Sequence, residues 1–249
     1  MASEFAAGAT ASDAAPETIE ARRDAIARRR LEARIARRYE IGRVEIEAAG
    51  RRFVIAKVKE PDTVFHEAMY DESRQPDVPL AWQPYWAQAW ESAVVLAGWA
   101  AESQPAGWRW LDLGCGVGVV GAVTAAFGAD TVLGDIAQPG LLFSQLNVWP
   151  WRERAMVRRI DWQRDRLTPK FDRIACADIV YDRRDWDDLD RFWRAHLNDD
   201  GEVIVAEPSR ITGREFREAI VEKGWNLIPA GVRRIGRREV IITRLKPRG

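Results

Sequence analysis

From Trp108 onward, short apolar runs alternate with helix-length segments, and this alternation constrains the fold more than any other feature of the chain. Runs at 108–113 (WRWLDL), 131–135 (TVLGD), 155–160 (AMVRRI), 171–177 (FDRIACA) and 202–206 (EVIVA) read as strands. Helical stretches near 118–127, 138–147 and 185–197 lie between them. Strands spaced by helix-length connections imply βαβ units and a parallel sheet covered on both faces. A helix at 213–223 and two more strand-like runs, 226–232 and 238–244, close the chain; the last can form an antiparallel edge pair with its predecessor. The expected class is therefore α/β: a doubly wound, mostly parallel, seven-stranded sheet, with no internal repeat.

Two segments precede the main domain. Residues 1–16 are rich in Ala, Ser, Thr and Gly and are expected to form a disordered tail. Residues 17–79 form an N-terminal helix and hairpin extension, and 80–249 form the main domain. Thr18 to about Tyr39 reads as a helix carrying eight arginines between 22 and 38, against Asp24 and Glu32. Such a helix is either a solvated element packed loosely on the domain or a basic arm that docks an acidic partner or RNA. The run RVEIEAAGRRFVIAKVKE reads as a hairpin turning at Ala49-Gly50. The segment 61–79, with three prolines, reads as a loop.

Composition narrows the partners. The 38 basic and 38 acidic side chains cancel, which argues against nucleic acid as the main partner. Cys115 and Cys176 both lie in apolar segments, which argues for a reducing, cytoplasmic setting over a disulfide scaffold. Two histidines are too few for a His/Cys metal site, so no metal is expected. No apolar run reaches the roughly 18 residues that span a bilayer, and residues 1–16 lack the basic and apolar regions of a signal peptide.

The chemistry gathers at the carboxyl ends of the strands. WLDLGCGVGVVG places Gly114, Gly116, Gly118 and Gly121 between a strand and a helix, where glycine permits a tight turn and close approach to a ligand. Gly116, Gly118 and Gly121 also satisfy the dinucleotide pattern GxGxxG. However, Asp112 just before the loop would repel a pyrophosphate and suit a ligand bearing an ammonium group. Asp135, ending the next strand, can accept both hydroxyls of a ribose. Asp161 and Trp162 after the third strand can read an adenine amino group and cover its ring. Asp178 ends the fourth strand in DIVY, three residues before Tyr181. Any one such acid can be a helix cap; four in successive units point to the ligand crevice of an open α/β sheet. Upstream, AWQPYWAQAWESAVVLAGWA puts Trp82, Trp86 and Trp90 at helical spacing, read either as a core stripe or as a face closing over a flat, cationic ligand.

These motifs resemble the class I, seven-strand S-adenosylmethionine (SAM)-dependent methyltransferases. The resemblance covers about residues 80–245. It implies a Rossmann-like fold with SAM as cofactor, Asp112 near the methionine ammonium, and Gly114, Gly116 and Gly118 as a backbone cradle. Asp135 would then hold the ribose, and Asp161 would contact the adenine. PYWAQAWESAVVLA, DIVY and EPSR further resemble the protein-lysine methyltransferase family, one branch of which acts on the β-subunit of electron-transfer flavoprotein. Departures are Ala93 for a glycine, Glu207 for Asp and Ser209 for Gly. The resemblance implies that Trp90 helps to close on the cofactor, and that Asp178 and Tyr181 face the methyl acceptor, a lysine of a protein substrate. The alternatives are methylation of a small amine or of RNA, a catalytically silent SAM-fold binding module, and a nicotinamide oxidoreductase. DIVYD lacks the prolines of the RNA amino-methyltransferase motif, and Asp112 disfavours the nicotinamide reading.

Overall fold

The computed structural model describes residues 18–70 and 83–248. The expected tail at 1–16, the end of the expected loop (71–79) and Trp82 lie outside the described residues.

Side-chain alternation decides which layer each strand serves. In β3 (Arg109–Leu113), Trp110 joins one apolar layer while Leu111 and Leu113 join the other. In β6 (Phe171–Ala177), Ala175 faces the first layer, and Ile174 and Cys176 face the second. Strands that are apolar on both faces need cover on both. Helices α3 (Glu91–Glu102), α4 (Val119–Ala126) and α5 (Gln138–Asn147) cover the first face. Helices α6 (Trp186–His196) and α7 (Ile211–Glu222) cover the second. Both cysteines are buried and unbridged, and burial pushes both thiols up, so they remain neutral.

The remaining strands are β4 (Asp130–Asp135), β5 (Ala155–Arg159), β7 (Leu197–Pro208), β8 (Trp225–Ile235) and β9 (Arg238–Pro247). The seven-stranded order is β5-β4-β3-β6-β7-β9-β8, with β9 antiparallel to both neighbours and the other contacts parallel. The doubly wound α/β expectation holds. Strand order reverses between β3 and β6, and a ligand crevice opens at the carboxyl ends beside such a switch point. β9 sits inside the sheet and β8 forms the edge.

The N-terminal extension consists of α1 (Ile19–Ala36), the hairpin β1 (Ile41–Ala48) and β2 (Arg51–Val58), and α2 (Pro61–Tyr70). Ala49 and Gly50 both take positive φ, the two-residue turn whose twist matches a hairpin. Pro61–Tyr70 was expected as loop and is helix; proline at the first helical position has no N–H that the helix requires. The eight arginines of 22–38 are exposed, and Ile35 is the one fully buried residue of α1. Asp24 fastens the helix by accepting from Trp149 Nε1 at 3.1 Å and pairing with Arg152 at 2.8 Å.

Ile46, Phe53 and Ile55 of the hairpin enter the same apolar layer as α3–α5. One buried amide makes that junction specific. Asn147, at the end of α5, accepts from Ala56 N–H at 2.7 Å and donates to the carbonyls of Ala56 and Val117, both at 2.8 Å. It thus ties β2 to the glycine-rich loop after β3. Asn147→Ala leaves these backbone groups unpaired and is expected to lower unfolding free energy by about 3 kcal/mol. Urea unfolding followed by tryptophan fluorescence checks this; a loss under about 1 kcal/mol would show that the amide is dispensable.

Candidate active site

Helix α4 begins at a glycine N-cap, Gly118 (φ 80°), which has no side chain to satisfy the first N–H groups. Asp112 supplies the missing acceptor from the end of β3: its Oδ2 accepts from Gly121 N–H at 2.8 Å. Asp135, at the end of β4, does the same for the loop. Its Oδ2 accepts from Gly116 N–H and its Oδ1 from Ala137 N–H, each at 2.8 Å. Both acids therefore do the work of caps, and both also line the central cavity. Asp112 is 3% exposed, and its Oδ1 has no hydrogen-bond partner among the described residues. Burial raises its pKa from 3.8 to about 7, partly offset by the Gly121 N–H. Burial also raises Asp135, against its backbone donors.

Gly114 and Gly116 line the cavity in positive-φ conformations. A Cβ on Gly114 would stand 2.7 Å from Ile179 Cγ2. Gly118 sits behind the loop, where a Cβ would stand 2.8 Å from both Leu133 and the Ser144 hydroxyl. Its role is close packing at the helix start. Trp162 lines the cavity wall, whereas Asp161 lies outside the lining and caps the turn that follows, accepting from Gln163 N–H at 3.1 Å.

The tryptophan-rich segment departs from the expected continuous helix. Pro84–Ala87 is a single 3₁₀ turn, the backbone is extended at Gln88 and at Trp90, and α3 starts only at Glu91. Trp86 packs into the core, edge-on to Tyr39 at 5.1 Å and tilted against Phe143 at 6.1 Å. Trp90 instead donates its indole N–H to the Tyr85 carbonyl at 2.7 Å and faces the cavity. Both tryptophans line the central cavity, and Trp86 is also buried in the core.

A second recess of about 230 Å³ is walled by Tyr85, Trp90, Asp178, Tyr181 and Arg210, the first four of which also line the central cavity. Asp178 adopts φ 55°, a left-handed conformation that aspartate tolerates better than most residues, and its N–H donates to Ala206 O at 2.8 Å. Its carboxylate meets the Arg210 guanidinium at 3.1 and 3.3 Å. Burial nonetheless raises its pKa, with Arg210 and then Arg238 opposing. Tyr181 stands edge-on to Tyr85 at 5.4 Å, and burial pushes its phenol well above the usual range, so it stays neutral.

Glu207, at the end of β7, is buried and paired with Arg217, and burial raises its pKa to about 7. A Cβ on Gly213 would fall 1.2 Å from Glu207 Oε2, so the glycine at the start of α7 makes room for the longer acid.

A family model described as lysine methyltransferase matches residues 85–221. The chain belongs to the lysine methyltransferase family. No curated protein matches it. Solved structures share the class I SAM-dependent methyltransferase fold. A TehB-like SAM-dependent methyltransferase from Corynebacterium glutamicum is 18% identical, covering 61% of this chain and 87% of its own, with a TM-score of 0.51. A ribosomal protein L11 methylase from Lactobacillus delbrueckii subsp. bulgaricus is 19% identical over 65% and 81%, with a TM-score of 0.52. The glycopeptide N-methyltransferase MtfA complexed with SAM is 15% identical over 61% and 87%, with a TM-score of 0.50.

Within this family member, the lining residues that sequence alone did not single out include Tyr85, Ile136 and Arg210. Tyr85 and Arg210 were visible only as parts of PYW and EPSR, and Ile136 only as the neighbour of Asp135. Among the described residues no helix is long and apolar enough to cross a membrane.

The buried acids set a pH dependence. A carboxyl whose pKa is higher folded than unfolded stabilises the fold fully below its unfolded value, and that contribution fades as pH rises through the folded one. For Asp112 and Glu207 the window runs from about 4 to about 7. The unliganded protein is therefore expected to lose thermal stability from pH 4.5 to 8, and Asp112→Asn to flatten that loss and melt higher than wild type at pH 8. Parallel melting curves for wild type and variant would sink this account.

Proposed function

We propose that this chain transfers methyl groups from SAM to a lysine side chain of a protein substrate. One observation carries the reading: a cavity framed by Asp112, Asp135 and the glycine loop meets a second, aromatic recess at Asp178 and Tyr181.

The residues fit the cofactor. Asp112 offers a buried carboxylate with one oxygen unpaired among the described residues, suited to the methionine ammonium. Asp135 can accept ribose hydroxyls, because a carboxylate oxygen that takes one N–H still has a second lone pair. Trp162 can cover an adenine, and Gly114 and Gly116 line the cavity with backbone alone, in positive-φ conformations. When bound, SAM supplies an electrophilic methyl group on a sulfonium.

The chain's own residues then have to position the acceptor. A lysine must lose a proton before it has a lone pair to share, and its reference pKa is about 10.4. Asp178 can hold the incoming ammonium at the recess floor, where the departing proton passes to water. Tyr85, Trp90 and Tyr181 wall the recess around an aliphatic stem. The neutral Tyr181 phenol can hydrogen-bond the amine. The lysine choice rests on the family and on this recess; the solved structures share only the fold.

The division of roles is testable. Asp178→Asn suits the left-handed backbone better than alanine. It is expected to lower turnover about a hundredfold or more while SAM affinity stays close to wild type. Asp112→Asn is expected to weaken SAM binding by roughly 10- to 100-fold. Calorimetry with SAM and incubation of labelled SAM with cell lysate check both statements. Parallel loss of SAM binding in Asp178→Asn, or label confined to RNA or small molecules, would refute the reading.

A further inference from the structure

Beside the aromatic recess lies a strongly basic one. β9 runs antiparallel to β7, so its first residues return to the carboxyl edge of the sheet, where the acceptor recess opens. Pro208 pairs with Val240, and Ser209 N–H donates to Glu239 O at 3.0 Å. This register seats the tip of the β8–β9 hairpin next to Arg210, whose guanidinium holds Asp178. The resulting recess, about 670 Å³, is lined by Arg210, Arg234, Arg237 and Arg238 against a single acid, Glu239.

The chain as a whole is neutral, so this charge is a local concentration. Three of the arginines are engaged at exposed positions: Arg210 with Asp178, Arg234 with Glu239, and Arg238 with Glu91 at 3.5 Å. Arg237, at the tip, makes no ion pair among the described residues and is exposed. The Arg238–Glu91 pair, with Arg233–Glu102 at 2.6 Å, also fastens the hairpin to α3.

We infer that this recess docks acidic side chains flanking the acceptor lysine, so that the substrate is an acidic, lysine-containing protein segment. The inference rests on the lysine reading above and adds the substrate class. Its core is charge alternation at short range. The aromatic recess ends in a carboxylate that attracts a cation, while the adjoining rim attracts anions. A lysine beside Asp or Glu meets both demands; a polyanion such as RNA would bring phosphate against Asp178. The pairs can also exchange: as the lysine ammonium takes Asp178, a substrate carboxylate takes the Arg210 guanidinium. Neither charge of this partly exposed pair is then left without a partner.

The test uses the full chain with S-adenosylhomocysteine and three fluorescent peptides of equal length, each with a central lysine flanked by Glu, Ser or Arg. Anisotropy is expected to show the Glu peptide binding about tenfold or more tighter than the Ser peptide at low salt, with the difference shrinking as salt rises. Arg237→Glu is expected to weaken the Glu peptide by roughly fivefold, and Arg237→Lys to retain wild-type binding. Arg29→Glu, in the other basic patch on α1, is expected to change nothing. Equal affinity for the Glu and Ser peptides, or an effect of Arg29→Glu in place of Arg237→Glu, would overturn the inference. So would a single-stranded RNA of equal length that binds more tightly through Arg237. Methylation with SAM separates the two readings. Arg237-dependent binding of the Glu peptide without a methylated lysine supports the docking recess and sinks the lysine reading. Equal methylation of the Glu and Ser peptides supports the lysine reading and sinks the docking recess.

Discussion

The contact between Asp112 Oδ2 and the Gly121 N–H is the interaction on which the rest of the site depends. A loop built from Gly114, Gly116 and Gly118 turns tightly because it lacks side chains, and for the same reason it cannot cap its own helix. The acceptor has to come from the preceding strand, and aspartate there is drawn into the core. Burial makes its charge costly, as its raised pKa records. A cationic ligand group at the free oxygen would offset that cost. One carboxylate thus both caps the helix and lines the cavity.

The same economy appears at Asp135 and Asn147. Asp135 holds Gly116 and Ala137 and still faces the cavity. Asn147 fixes the back of the loop through Val117 and couples it to the hairpin. A perturbation of the extension therefore reaches the loop through one buried amide and a shared apolar layer. The second recess is built differently: Asp178 and Arg210 face each other in a partly exposed pair.

Much of the sheet was legible because its signals are local. FDRIACA is bounded by polar residues and alternates between two apolar layers, and β6 occupies those same seven positions. The β1–β2 turn was legible because Gly50 suits positive φ between two alternating runs, and Ala49 is carried into that region with it. The tryptophan spacing misled: Trp86 and Trp90 sit at i and i+4 in sequence, but tertiary contacts recruit one to the core and the other to the loop after Tyr85. Pro61 misled as well, since proline breaks a helix interior and suits its first turn. The match of Glu207 to Gly213 had no sequence signal, because it depends on two segments meeting across the end of β7.

By itself, the sequence determined the α/β alternation, the glycine loop and the series of acids at strand ends, since periodicity and chain turns are properties of neighbouring residues. Only the tertiary structure decided which face each acid presents. It turned Asp112 and Asp135 into the cavity and Asp161 onto its own turn. It also set Arg210 against Asp178 and folded the basic hairpin tip beside them, although Arg237 lies 59 positions along the chain from Asp178. Those placements follow from strand order and register, which arise from packing among distant segments and leave no trace in local sequence.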